Sequence, residues 1–361
     1  MIIRPVPKLS AMIIVLFWLL LGHGSSALAA NFVNILIYHH FGDARYPSAN
    51  VDTEQFARQM EWLAANDYQV ISLAELVRLR QESKELPAKS VVITIDDGYK
   101  SVYENAWPIL KKHGFPFTLF VYTQALARGY ANYMSWEQIR ELAAAGVALE
   151  DHSFAHHHLA FRPHGLDEAA YRAWIANDLA RSQAVFAREL ASRPRFLALP
   201  YGEYNPIVID EARKLGYEAV LNQNSGPVGP FTDLFSLPRH AILGKDWVNI
   251  DHFQKIMAQA ALPVADASPA SGQLADPLVR EFSVRLLKPD DYVAGSFGFW
   301  VSGLGWHKAR RQGDVLSFST DLPLTHQVSR VVVSGREKVS GRLASHTWML
   351  IQPDAGREGE G

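Results

Sequence analysis

Between residues 31 and 252, short apolar runs alternate with amphipathic segments, and this alternation narrows the possible folds more than any other feature. Val33 to Tyr38, Tyr68 to Ile71, Val91 to Ile95, Phe117 to Tyr122, Val147 to Glu150, Phe196 to Leu199 and Ala219 to Leu221 read as strands. Helical spacing fills the intervals. Asp52 or Thr53 can cap a helix carrying Phe56, Met60 and Leu63, and further helices are expected over 73–80, 101–113, 135–145, 167–190 and 206–215. Gly114, Gly146 and Gly216 each follow a helix where a left-handed cap residue belongs. Repeated βα units predict an α/β fold, with a parallel sheet covered by helices and arranged as a barrel or a doubly wound sheet.

The pattern changes after residue 260. An Ala-, Pro- and Ser-rich stretch, 261–277, reads as a linker. From 278 to 353 the runs Phe282–Leu286, Phe297–Val301, Val315–Ser319, Val328–Ser334 and Trp348–Ile351 lack helical periodicity, which predicts a small all-β, sandwich-like domain. Residues 354–361 read as a disordered tail. At the other end, Arg4 and Lys8 precede the apolar stretch Met12 to Leu21 and the small-x-small site Ala27-Leu28-Ala29. Residues 1–29 therefore read as a cleaved signal peptide, with an uncleaved anchor as the alternative. Either way the folded domain is expected outside the cytoplasm; with the signal peptide cleaved, the mature chain has no integral membrane span and is periplasmic or secreted. A net charge of −2 over 361 residues gives no electrostatic case for nucleic acid. Absence of cysteine excludes disulfides, thiolate metal sites and a cysteine nucleophile.

Two motifs carry chemistry. Thr94-Ile95-Asp96-Asp97-Gly98 closes the apolar run at 91–95, and His152-Ser153-Phe154-Ala155-His156 follows the run at 147–150. Both lie at the carboxyl ends of expected strands, where parallel α/β folds place their active sites. Asp-Gly is also an ordinary turn pair, and a histidine pair can be a surface accident. Two histidines four residues apart share a face if the backbone is helical. One carboxylate and two imidazoles (Asp97, His152 and His156) make three ligands for a catalytic divalent metal with an open position, leaving Asp96 as a base. Such a set suits zinc, with cobalt or nickel as alternatives.

In this order and at this separation the two motifs resemble those of the polysaccharide deacetylases of carbohydrate esterase family 4. Tyr133-Met134-Ser135-Trp136 and Pro200-Tyr201-Gly202-Glu203-Tyr204-Asn205 add to the likeness, which spans about residues 31 to 255. The resemblance implies a distorted, incomplete (β/α) barrel and metal-dependent removal of acetyl groups from N-acetylated sugars. It implies Asp96 as general base, Asp97, His152 and His156 as metal ligands, and Tyr201 as the residue whose backbone N–H helps hold the oxyanion.

Two positions depart from the family pattern. Ala198 stands where an arginine usually pairs with the base, and Arg239 is the expected substitute. The usual Leu-x-Leu-x-His is missing; Leu237-Pro238-Arg239-His240 approximates it only distantly. Tyr38-His39-His40-Phe41 instead resembles the subgroup acting on poly-β-1,6-N-acetylglucosamine, which implies His39 as general acid, with His240 as runner-up. The expected partner is an acetylated exopolysaccharide, and cell-envelope export machinery is a further expected partner. Chitin-type oligosaccharide, peptidoglycan or an O-acetylated glycan are alternative substrates. A non-catalytic carbohydrate-binding or assembly protein is the alternative of another class. Trp300, Trp306 and Trp348 read as core residues or as a sugar-binding face.

Overall fold

The computed structural model describes residues 32–352, so the expected signal peptide and the tail at 354–361 lie outside the described residues. Eight parallel strands form the first sheet: β1 Asn34–Tyr38, β2 Gln69–Val70, β3 Ser90–Ile95, β4 Thr118–Val121, β5 Ala148–Asp151, β6 Phe196–Ala198, β7 Ala219–Leu221 and β8 His240–Ala241. Their order is β8-β1-β3-β4-β5-β6-β7, with β2 beside β3. Leu221 bridges in parallel to Leu237, just before β8, so the sheet curls toward closure without completing it. The result is a distorted, incomplete (β/α) barrel.

The apolar runs are continuous because both faces are covered. Val91, Ile93 and Ile95 enter one core with Leu36 and Tyr38, while Val92 enters another with Val33 and Ile35. Helices fill the connections where the spacing demands them. Helix Trp136–Ala144 starts on a capping box between Ser135 and Gln138, and helix Trp107–His113 ends on Gly114 at φ 65°. Short helices at Thr123–Ala127 and Ile250–Met257 and the two-residue β8 are additions that periodicity over so few residues does not reveal.

The C-terminal strands form two sheets. Gly305–Lys308, Gly298–Val301, Val328–Arg336 and Leu343–Ile351 build one; Val264–Ser268, Glu281–Leu286, Val315–Ser319 and Arg310–Gln312 build the other. Phe299, Val331, Val333 and Trp348 of the first share a core with Phe282, Val284, Leu316 and Phe318 of the second. Within 261–277, Val264–Ser268 pairs with Glu281–Leu286 and Gly272–Gln273 with Leu343–Ile351, so this Ala- and Pro-rich stretch contributes strands. The opposite face of the first sheet lies on the barrel. Met349 and Ile351 join Leu197, Leu199 and Val220 in one apolar cluster, and the Thr347 hydroxyl donates to the Ser225 carbonyl.

Candidate active site

The carboxyl ends of β3, β5, β6 and β7 meet at one rim. Asp96 donates its backbone N–H to the Tyr38 carbonyl at the end of β1. A Gly98 N–H to Asp96 carbonyl bond closes a γ-turn around Asp97, whose φ is 73°. Asp97, Ser153, His156 and Tyr201 all hold positive φ without being glycine. Each such residue costs free energy and persists only where surrounding contacts fix it.

The histidine pair is not helical, contrary to the simplest way of bringing residues 152 and 156 together. The segment is a loop, left-handed at Ser153 (φ 66°) and at His156 (φ 54°). Asp178, inside helix Glu168–Leu190, holds it by accepting from the Phe154 and Ala155 N–H groups at 3.0 Å each. Ser153 Oγ accepts from the His156 N–H at 3.0 Å. So braced, His152 Nε2 and His156 Nε2 each stand 3.2 Å from Asp97 Oδ1, and all three potential ligand atoms lie within 4.8 Å of one another.

These atoms fit a divalent cation. Ligands about 2.1 Å from a zinc ion lie roughly 3.0–3.4 Å apart, which matches the two imidazole–carboxylate separations. Asp97 Oδ1 is buried and accepts no hydrogen bond despite its two neighbours. His152 Nδ1 lies 2.8 Å from the Ala198 carbonyl, so the tautomer that donates there leaves Nε2 with its lone pair toward the site. Burial alone would raise the Asp97 pKa; His152 and His156 outweigh it and hold the carboxyl well below its usual range. Burial opposes charge on His152, yet Asp96 and Asp97 raise its pKa, drawing in positive charge that a cation would supply instead.

Asp96 is fully buried and forms a two-pronged pair with Arg239, Nη1 to Oδ1 at 2.7 Å and Nη2 to Oδ2 at 2.8 Å. Arg239 is itself buried and fixed by the Asn222 carbonyl at 2.9 Å and Thr94 Oγ1 at 3.2 Å. Burial pushes the Asp96 carboxyl up, but Arg239 and His152 overcome it and the pKa is lowered. An ionised carboxylate therefore stands beside the cluster, 3.8 Å from His152 Nε2.

His39 follows β1 with Nδ1 buried and unpartnered, near enough to feel Asp97, Asp96, Arg239 and His152. Burial lowers its pKa, against the pull of the two carboxylates. His240 is engaged elsewhere. Its Nδ1 meets Ser225 Oγ and its Nε2 meets Asn34 Oδ1, both at 3.0 Å, and burial pushes its pKa down to about 3. Tyr201, at φ 60°, packs edge-on to His156 and stacks flat on His158 with ring centres 3.6 Å apart. His158 Nδ1 in turn meets Glu203 Oε2 at 2.6 Å.

Sequence reasoning brought Asp96, Asp97, His152, His156, Tyr201, Arg239 and His39 to this rim and missed their supports. Asp178, Asn222, Thr94 and the His158–Glu203 pair matter through where the fold puts them. The one local signal was an acid at 178 among the apolar positions Ile175 and Leu179 of its helix.

Residues 83–220 match the family model for polysaccharide deacetylases. A poly-beta-1,6-N-acetyl-D-glucosamine N-deacetylase from Escherichia coli is 30% identical over 262 residues, covering 63% of this chain but 37% of that protein. One from Staphylococcus aureus is 28% identical over 216 residues, covering 58% of this chain and 73% of its own length. Among solved structures, IcaB from Ammonifex degensii superposes with a TM-score of 0.55 at 27% identity, covering 63% of this chain and 96% of that one. The similarity to IcaB and to the Staphylococcus protein thus leaves over a third of this chain unmatched.

Proposed function

We propose that this member of the polysaccharide deacetylase family removes N-acetyl groups from an exopolysaccharide of the poly-β-1,6-N-acetylglucosamine type, as a periplasmic or secreted enzyme. The observation that carries the reading is the Asp96–Arg239 pair set against the Asp97, His152 and His156 cluster. In this reading Asp97, His152 and His156 hold a divalent cation, preferably zinc, which would polarise the acetamide carbonyl. Asp96, kept ionised by Arg239, takes a proton from the attacking water. The Tyr201 backbone N–H supports the oxyanion, an N–H that the left-handed backbone at this residue orients. His39 gives a proton to the departing sugar amine, which is a poor leaving group until protonated. Acetate and a free amine result. Residues 30–260 are assigned to catalysis and 278–353 to an accessory β unit, joined through 261–277.

Substrate class rests on the Tyr38-His39-His40-Phe41 motif and on the activity for which the relatives are named. The test is acetate release by the mature protein from β-1,6- and β-1,4-linked N-acetylglucosamine oligomers, with chelator and after Zn²⁺ is restored. Chelator-sensitive release from the β-1,6 series is expected. Release from the β-1,4 series alone would replace the substrate, and no release from either by metal-loaded protein would overturn the reading.

A further inference from the structure

Trp300 and Trp306 are directly paired across neighbouring antiparallel strands, and both are exposed, at 43% and 60%. Trp348, by contrast, is core. Paired residues on adjacent antiparallel strands project from the same face. Trp306 pairs with Trp300, Trp300 with Val332, and Val332 with Thr347. Thr347 touches the barrel at Ser225, so the two tryptophans lie on the barrel-facing side of the sheet and overhang its edge. The inward residues of the same hairpin confirm the alternation: Phe299 is core, and His307 stacks on Phe318.

The overhang has a specific local construction. A Cβ on Gly298 would sit 2.5 Å from three atoms of the Trp306 indole. The missing side chain lets that ring lie across the strand beside it, with one face on the sheet and the other toward solvent. Only a residue without Cβ permits so close an approach. Two exposed indoles side by side on one face of a sheet form an apolar patch of the kind that marks a binding surface.

The overhang also leads back to the metal site. Arg330, on the same face one pair along from Val332, is half-buried where the charge of Glu203 reaches it. Glu203 holds His158, His158 stacks on Tyr201, and Tyr201 abuts His156. Ring contacts, one side-chain pair and the charge interaction between Glu203 and Arg330 thus link the candidate metal ligands to the C-terminal sheet. From Thr347 to Trp306 the row crosses three inter-strand steps, about 14 Å at about 4.8 Å each, long enough for several sugar rings.

We infer that Trp300 and Trp306 form a stacking shelf for the glycan chain beyond the sugar at the metal site, so that the C-terminal sheet helps bind long polymers. The inference rests on the glycan reading of that site. Apolar faces of pyranose rings stack on flat aromatic rings, and the exposed indoles offer two.

The test uses the full mature chain with Trp300→Ala, Trp306→Ala, the double variant and Trp306→Phe, which keeps a smaller ring. Acetate release is measured on a dimer and a hexamer of β-1,6-N-acetylglucosamine, and mobility is measured in gels containing the acetylated polymer. For the double variant, a rise in KM of about fivefold or more is expected on the hexamer. Its kcat and its kinetics on the dimer should stay unchanged, and the gel retardation seen with the parent protein should be lost. Trp306→Phe should fall between. Equal KM at both lengths with unaltered retardation would overturn the shelf. If the parent protein releases no acetate, the catalytic reading fails and the gel decides alone. Loss of retardation in the variants would then support the shelf, and unaltered or absent retardation would overturn it.

Discussion

Asp96 and Arg239 form an ion pair in which both side chains are buried. Each loses its hydration on burial, and the partner, His152 beside Asp96, and the fixed dipoles of Thr94 and the Asn222 carbonyl beside Arg239 offset that loss. Arg239→Leu leaves Asp96 buried without its counter-charge. The expected cost is about 3–5 kcal/mol of unfolding free energy, read as a lower urea midpoint. The carboxyl should also titrate higher, so the acid limb of the kcat/KM profile should move to higher pH. Arg239→Lys keeps the charge but not the two-pronged geometry and should recover part of the stability. An acid limb left in place by Arg239→Leu would remove Asp96 from the base role. The pairing partner could be named from sequence because the family resemblance calls for an arginine beside the base and Ala198 leaves that place to Arg239. That both oxygens of Asp96 are engaged is decided by how β8 lies beside β1.

At the scale of elements, the loop between β5 and helix Glu168–Leu190 brings the two imidazoles together without a helix. A helical 152–156 would have aligned the imidazoles by periodicity; here two left-handed residues turn the chain, and Asp178 fixes the turn. Asp178→Ala strands two backbone N–H groups, and the loop should lose its preset shape while the helix stays intact. Metal affinity should fall by about 10–100-fold, measured by competition with a chromogenic chelator. Saturating metal should restore much of the turnover. Unchanged affinity would show that Ser153 and the strand ends suffice. Strands and helices were legible because apolar runs covered on both faces and 3.6-residue spacing report burial directly. Loops were not, since their conformations depend on distant acceptors such as Asp178.

At the scale of the molecule, the C-terminal sheet seats Met349 and Ile351 in a cluster with Leu197, Leu199 and Val220 at the barrel rim. One apolar cluster shared by both parts predicts a single cooperative unfolding transition by calorimetry. A chain shortened to end at residue 262 should melt well below the full-length protein, because it uncovers that cluster. Two separated transitions would show independent units instead. Among the described residues no helix is long and apolar enough to cross a membrane. Composition had separated a helical part from a β-rich part. It could not show that 261–277 pairs into sheets, because the prolines there limit helices without forbidding edge strands.

The sequence by itself determined seven of the barrel's eight strands, the order of its motifs and the residue types at the site, since periodicity and local turn chemistry depend on neighbours in the chain. Only the tertiary structure decided which atoms converge. Asp97 meets His152 and His156 because β3 and β5 both flank β4, Arg239 reaches Asp96 from 143 positions away, and His240 turns from the site toward Asn34 and Ser225. Trp300 and Trp306 lie outside while Trp348 lies inside, although composition treated the three alike. The reason is that facing and proximity are set by strand pairing and by packing between distant segments, and no local pattern encodes either.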